Sequence, residues 1–481
     1  MRTSATLFGV ALLISGCAAR AQQETESRKT DNTQHAAAIQ AIVSSAPPWI
    51  ERGTLGATLW DSEQAFYQSR RNLPAWIDED EVTPRLEALV DELRHAEDHG
   101  LDPDRYGTGE LQQAIDAARA NRGRFELARV PELDTRLTYA YLQYAADLLG
   151  WSGHAKAIYD QWLVTPQQDD LAARLGKAVA SNKVRDTLEE LTPAHTQYAG
   201  LQAALANERT NPTGHADQIR MNLERWRWMP RNLGDRYVLV NVPAYQMHVI
   251  EDGKTAVAMR VIVGQSKNPT PLFSDEMTYV VFSPAWNIPE TIIRNEMVPH
   301  MVKDPSYLDR QAIEVVGTSG DVVDLASVDW TDERAVDGMH FRQAPGPRNA
   351  LGLVKFIFPN NFDVYLHDTP ADSLFNKAHR ALSHGCVRLE NPVGLARYVL
   401  RDQPQWTDAR IAAAMNGEHE QTAMLKEHLP VHIGYWTAWV NPDGSVTYTD
   451  DPYELDEKQA SAEHLASAET GQLAVSSNAK W

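Results

Sequence analysis

The sequence predicts two folded parts in series, a mainly helical first half and a mostly β second half carrying a helix-containing insertion. Three observations lead there. The chain has 481 residues, more than one ordinary hydrophobic core holds. Apolar residues recur at helical spacing in the first half and in β-rich runs in the second. The polar stretch 207–215 (NERTNPTGH) divides the two textures.

The N-terminus reads as a targeting segment. Arg2 gives a short positive region, residues 7–14 are apolar, and Ile14-Ser15-Gly16-Cys17 follows. Small residues before a cysteine resemble a bacterial lipobox, which makes residues 1–17 a signal peptide and Cys17 the lipidated first residue of the mature chain; an ordinary secretory signal that contains a cysteine is the alternative. Ala18 after the cysteine favours the outer membrane over retention at the inner one. Residues 18–39 are mostly polar and expected to be a flexible tether.

Residues 40–210 are expected to be a helical domain. Thr83-Pro84 is a cap followed by a proline in the first turn, Leu86, Leu89, Val90 and Leu93 form a stripe, and Gly100 is a stop. Pro131 opens a second helix with Leu133, Leu137, Tyr141, Tyr144 and Leu148 on one face, and further helices are expected near Gln168, Asn182 and Pro193. A short amphipathic helix over 219–228 leads into the β part. Strands are expected over 237–242, 246–250, 256–263, 279–282, 354–358 and 364–366. This domain is placed at 218–455. Residues 287–341 interrupt it, and an insertion of that length beside a catalytic domain is often a lid. The Ala-, Ser- and Glu-rich tail, 456–481, is expected to be disordered.

The formal charge of -20 argues against nucleic acid as a partner. Only two cysteines occur, Cys17 and Cys386. With Cys17 lipidated, Cys386 is left as a lone thiol in an oxidising compartment, a liability unless buried or used.

A thiol is a good nucleophile only as thiolate, so it needs a nearby base or cation. His367 ends an apolar run, and Ser383-His384-Gly385-Cys386 follows 16 positions later. The glycine allows close backbone approach, and the turn can aim successive amides at one point, as an oxyanion hole requires. Cysteine, histidine and a glycine turn together suggest thiol acyl transfer.

The spacing from His367 to Ser383-His384-Gly385-Cys386-Val387-Arg388 resembles the signature of L,D-transpeptidases with a YkuD-type catalytic domain. The flanks Arg342-Gln-Ala-Pro-Gly-Pro, Asn349-Ala-Leu-Gly and Lys355-Phe-Ile-Phe-Pro-Asn, the helical first half and Tyr435-Trp-Thr-Ala-Trp-Val are similar to the larger, scaffold-bearing YcbB-like subclass. The resemblance implies a helical scaffold domain before a β-sandwich-like catalytic domain with a lid. It implies that Cys386 is the nucleophile, His367 the proton acceptor and donor, and the backbone around Gly385 and Cys386 the oxyanion hole. Ser383 and His384 would shape the turn. The substrates would be peptidoglycan tetrapeptide stems, as donor and acceptor, attacked at meso-diaminopimelate with loss of the terminal D-Ala. No metal or organic cofactor is implied, carbapenem-type β-lactams are expected to acylate the thiol, and the enzyme would work in the periplasm on a lipid anchor. The peptidoglycan-binding module common in the subclass has no room here, since only about fifteen residues separate the scaffold from the catalytic domain.

Three further residues are weighed for substrate contact. Arg388 either meets a substrate carboxylate or pairs with Glu390. Asp368 either orients His367 or has another role. Trp286, like Trp330, either contacts substrate near the lid or packs a core. A zinc hydrolase using His367, His379, His384 and Cys386 is the rival enzyme class, disfavoured because the ligands lack a tight spacing; a degenerate wall-binding lipoprotein is the non-enzymatic one.

Overall fold

A computed structural model describes residues 32–152, 155–164, 167–304, 306–332 and 334–462. Cys17, the segment around it and the tail beyond 462 lie outside the described residues.

The first half is helical. Helix α1 spans residues 32–43, then α2 Thr54–Ser69, α3 Pro84–Arg94, α4 Thr108–Ala120, α5 Val130–Leu148, α6 Ala155–Ile158, α7 Leu171–Ser181 and α8 Val184–Glu189. Thr83 caps α3 by accepting the Leu86 N–H at 3.3 Å. Helix α5 runs through the middle and is buried on nearly every side. Its Asp134 is satisfied by the Ala75 and Trp76 amides and by the Tyr67 hydroxyl, at 2.7–2.8 Å, as a fully buried carboxyl must be. The expected tether, 18–39, is too long: α1 begins at residue 32, and its Ile39 is sealed in this core.

Helices α9 (Thr196–Thr210) and α10 (Ala216–Arg227) do not share that core. Tyr198, Leu201, Leu205, Leu223 and Trp226 pack instead with Leu239 and Trp436 of the β half. Residues 155–164 also leave the helical half: Ala155, Ile158 and Trp162 sit in the core of the β domain. The expected boundary near 210 is therefore crossed by packing in both places.

The β half is one nine-stranded mixed sheet. Its strands are β1 (Arg236–Asn241), β2 (Gln246–Glu251), β3 (Lys254–Gly264), β4 (Phe273–Phe282), β8 (Val354–Ile357), β9 (Leu366–His367), β10 (Ala381–Ser383), β11 (Val387–Leu389) and β12 (Gln421–Gly434). Their order is β10-β3-β11-β9-β8-β4-β12-β1-β2, and β2 also pairs with β3. That pairing closes the run from β3 to β2 on itself, with β10 alongside β3. Helices α14 (Pro392–Leu400) and α15 (Asp408–Met415) cover one side, and a hairpin, β13 (Ala438–Val440) with β14 (Val446–Tyr448), meets α9 and α10.

The insertion is a small unit with its own core. Strands β5 (Trp286–Asn287), β6 (Ile313–Val316) and β7 (His340–Gln343) form a three-stranded sheet. Short helices α11 (Glu290–Ile292), α12 (Val298–Lys303) and α13 (Tyr307–Arg310) pack on it around Met297, Met301, Leu308, Val315 and Phe341. A π-turn, Ile293–Met297, joins α11 to α12. The tail also departs from expectation. Residues 455–462 are helical, with Gln459 buried and Asp456 2.6 Å from the buried Arg225 guanidinium.

Candidate active site around Cys386

The site is built where β9 and β11 pair in parallel. Val387 lies opposite Leu366 and Arg388 opposite His367, and the Val387 N–H donates to Tyr365 O at 3.2 Å. One step back, Cys386 stands beside Tyr365. Because strand side chains alternate, Leu366, Val387 and Leu389 enter the core, while Tyr365, His367, Cys386 and Arg388 share the other face. Lys355, opposite His367 on β8, joins them. The apolar–polar alternation of these short strands therefore gathers the reactive groups on one face.

His367 is buried. Its Nδ1 lies 2.5 Å from the carbonyl oxygen of Asp368, an acceptor only, so Nδ1 carries the proton and Nε2 of the neutral ring the lone pair; the Leu351 backbone also faces the ring. Burial, helped by the charges of Arg388 and Lys355, lowers its pKa to about 3, so the ring is neutral at ordinary pH. The orienting group is thus the backbone of Asp368. Its carboxylate is taken up elsewhere, accepting from the Leu353 and Thr369 amides at 2.7 Å each. The Asp368 carboxylate clamps the loop at Leu353 and Thr369.

The Cys386 side chain is partly exposed, with Sγ 3.9 Å from Asp363 O. Burial raises its pKa to about 11, against the opposing effects of the Tyr365 amide, the Arg388 charge and the Tyr365 hydroxyl. The thiol is therefore protonated at rest, with the Arg388 charge near it and the neutral ring of His367 one step further along the same face.

The turn before it is fixed by its own side chains. Ser383 Oγ donates to Cys386 O at 2.5 Å and accepts the Gly385 N–H at 3.2 Å. Gly385 adopts φ +117°, a region open to glycine and strained for other residues. The Gly385 amide, expected in the oxyanion hole, is thus turned to Ser383. The Cys386 N–H meets no protein acceptor among the described residues and is left as the donor at this turn. His384 points away from the thiol and contacts Glu296 of the π-turn in the insertion.

Arg388 is not paired with Glu390. That carboxylate is held by Arg260, through its Nε at 3.0 Å and its backbone N–H at 3.1 Å, and the buried Nε of Arg388 has no hydrogen-bond partner among the described residues. Trp286 packs against the core of the insertion and Trp330 lies within it, edge-on to Phe341 at 6.5 Å; both take the core role. His379 faces Asp450 at 3.7 Å, so the histidines of the zinc alternative look to three different neighbours. Sequence reasoning missed Tyr365, which could have been found from its period-two relation to His367.

Two stretches of the chain match known families. Residues 235–412 match the YkuD family, described as the L,D-transpeptidase catalytic domain, and residues 61–205 match the scaffold domain family. A curated Haemophilus influenzae protein named "Putative L,D-transpeptidase" is 30% identical over 321 residues, covering 66% of this chain and 64% of that protein; the chain thus spans less than two thirds of that relative's length. Among solved structures, an L,D-transpeptidase from Mycobacterium smegmatis is 13% identical, over 41% of this chain and 58% of its own, with a TM-score of 0.20. L,D-transpeptidase 3 from Mycobacterium tuberculosis, in complex with a faropenem-derived adduct, is 13% identical over 42% and 60%, with a TM-score of 0.19. The chain carries a YkuD-type L,D-transpeptidase catalytic domain preceded by a helical scaffold domain.

Proposed function

We propose that this protein cross-links peptidoglycan between two diaminopimelate residues through an acyl-enzyme on Cys386. The single observation that carries the reading is the β9–β11 register: it sets thiol, base and guanidinium on one face, with Nδ1 of the base committed to a backbone carbonyl. In acylation the Cys386 sulfur attacks the carbonyl carbon of the donor's diaminopimelate and its proton passes to Nε2 of His367. The Cys386 amide receives the developing oxyanion. The bond to the terminal D-Ala then breaks, and His367 returns the proton to the leaving amine. In the second half the side-chain amine of an acceptor stem attacks the thioester, loses its proton to His367, and the thiol is regenerated. Arg388, with its buried Nε unpartnered, meets a substrate carboxylate.

Water or a free D-amino acid as acceptor gives carboxypeptidase or exchange activity by the same steps. Carbapenem-type β-lactams acylate Cys386, as expected of the catalytic-domain family that residues 235–412 match. The enzyme works in the periplasm, held by lipid on Cys17. Metabolic labelling with a fatty-acid analogue should depend on Cys17, and an unlabelled soluble native form would refute the anchor.

Muropeptide mass spectrometry of sacculi incubated with the enzyme tests the activity. Diaminopimelate–diaminopimelate dimers should form with the unaltered chain and vanish with Cys386→Ala, whose fold should be nearly unchanged. Cross-linking by that variant would end the proposal.

A further inference from the structure

The thiol turn is held from behind by a residue 115 positions away in sequence. Thr270 is fully buried. Its Oγ1 accepts the Gly264 N–H at 2.8 Å, so its own proton is free to go elsewhere, and it donates to Gly385 O, also at 2.8 Å. The carbonyl of Gly385 and the N–H of Cys386 belong to one planar peptide unit and point in opposite directions. Anchoring the carbonyl therefore aims the amide. Glycine at φ +117° leaves this peptide easy to rotate, and Ser383, which holds the Gly385 N–H and the Cys386 carbonyl, touches neither of its two polar atoms.

Thr270 is itself braced. Its N–H donates to the Tyr453 hydroxyl at 3.1 Å, and that hydroxyl donates to Gly264 O at 2.6 Å. The loop between β3 and β4 folds so tightly that a Cβ on Gly264 would lie 2.3 Å from Asn268 O. Residues 159–163, which leave the helical half for the β-domain core, close the brace. Leu163 N–H donates to Leu272 O at 2.8 Å, Leu272 N–H donates to Gln161 O at 3.1 Å, and the Tyr159 hydroxyl reaches Thr270 O at 3.5 Å.

We propose that Thr270 is a positioning residue for acyl transfer: its hydroxyl locks the Gly385–Cys386 peptide so that the Cys386 N–H faces the oxyanion. The proposal rests on the reading of Cys386 as an acylated nucleophile. It separates two reactivities of one thiol. Acylation builds an oxyanion and needs the aimed amide; alkylation by iodoacetamide builds none.

The test uses the full chain with Thr270→Val, which keeps the shape and removes the hydroxyl, and Thr270→Ser, which restores it. Each is reacted with imipenem, with the acyl-enzyme followed by mass, and separately with iodoacetamide. The valine form should acylate on the order of 10- to 100-fold more slowly, below the full loss of an oxyanion donor, and alkylate at close to the unaltered rate. The serine form should recover most of the acylation. Acylation of the valine form at the unaltered rate overturns the proposal. So does a parallel loss of both reactivities, which marks a fold effect, or a serine form as slow as the valine one. If the unaltered chain alkylates but takes no acyl group from imipenem or from a tetrapeptide stem, the acyl-transfer reading fails first and this proposal falls with it.

Discussion

At the residue scale, His367 and Cys386 are both uncharged at rest, because burial holds the ring's pKa at about 3 and the thiol's at about 11. A thiolate–imidazolium pair is therefore not the resting state, and the proton moves as the sulfur attacks. Two measurements follow from these signs. Alkylation of Cys386 consumes the thiolate, whose fraction grows tenfold per pH unit below the thiol's pKa, so the rate should climb tenfold per unit from pH 6 to 9. Acylation uses neutral thiol and neutral ring together and should stay flat from pH 5 to 8. An alkylation plateau near pH 7 would show a preformed ion pair and sink the assignment. A second prediction ranks the histidines. His367→Ala should slow acylation about 10²- to 10⁴-fold, the range of general acid–base catalysis. His384→Ala should cost less, since its ring contacts Glu296 and not the thiol; the reverse order in measured rates would mean that the two are exchanged. The Cys386–His367 pair was legible because its chemistry and spacing lie in one short stretch. The orienting of His367 was not, because it uses a backbone carbonyl, which no residue type announces. Thr270 was hidden for a different reason: its partner, Gly385, is distant in sequence and also contributes a backbone atom.

At the element scale, the insertion meets the thiol turn through Glu296 and His384. Glu296 sits in a π-turn, an irregularity often placed where a helix serves a function. Asn349 fixes the base of the insertion by donating to Pro284 O at 2.9 Å and Ala344 O at 3.0 Å. A separate core on a pinned base suits a part that moves as one body. Closure over the thiol would exclude water and favour an amine acceptor. Removing residues 288–341 with a short linker should therefore lower the ratio of cross-linked to hydrolysed product more than it lowers alkylation of Cys386. An unchanged ratio in a folded catalytic domain would make the segment a decoration. The insertion was visible in the sequence as a break in β-rich texture. Strand β12 was not, although it is 14 residues long, because Lys426, Glu427 and His428 interrupt its pattern at the place where its register slips between Met424 and Leu429. The brace at residues 159–164 was equally hidden. Its apolar residues read as helical core, and only packing shows that Trp162 belongs to the β domain.

At the scale of the whole molecule, the two halves are joined by shared cores and buried polar contacts, and the junction carries its own pH dependence. The Gln197 side chain exchanges hydrogen bonds with the Val440 backbone at 2.7 and 2.8 Å, and Arg225 reaches into the C-terminal helix, donating to Gln459 at 2.9 Å. That last contact explains why residues 455–462 form a helix: composition reads the segment alone, whereas a buried guanidinium elsewhere demands its Asp456. Two histidines sit at the same junction. His99 Nδ1 is 2.9 Å from the Tyr198 hydroxyl, and His195, stacked on Trp226, is 2.9 Å from the Tyr237 hydroxyl. Burial lowers both to about 4, with the Arg227 charge adding to the effect at His99 and His432 at His195. In the unfolded chain each would titrate near 6.5. Between pH 6.5 and 4 the unfolded state therefore binds more protons than the folded one. Stability is full above pH 6.5 and falls as the pH drops, by about 1.4 kcal/mol per histidine per pH unit within that window. Urea unfolding at pH 7, 6 and 5 should show a falling midpoint. Carboxylates contribute at the acid end as well, so the decisive comparison is the double variant His99→Gln, His195→Gln, in which the fall between pH 6.5 and 5 should become distinctly shallower. If that variant loses stability with acid as steeply as the unaltered chain, the junction histidines do not set the response, and the two halves are coupled by packing alone.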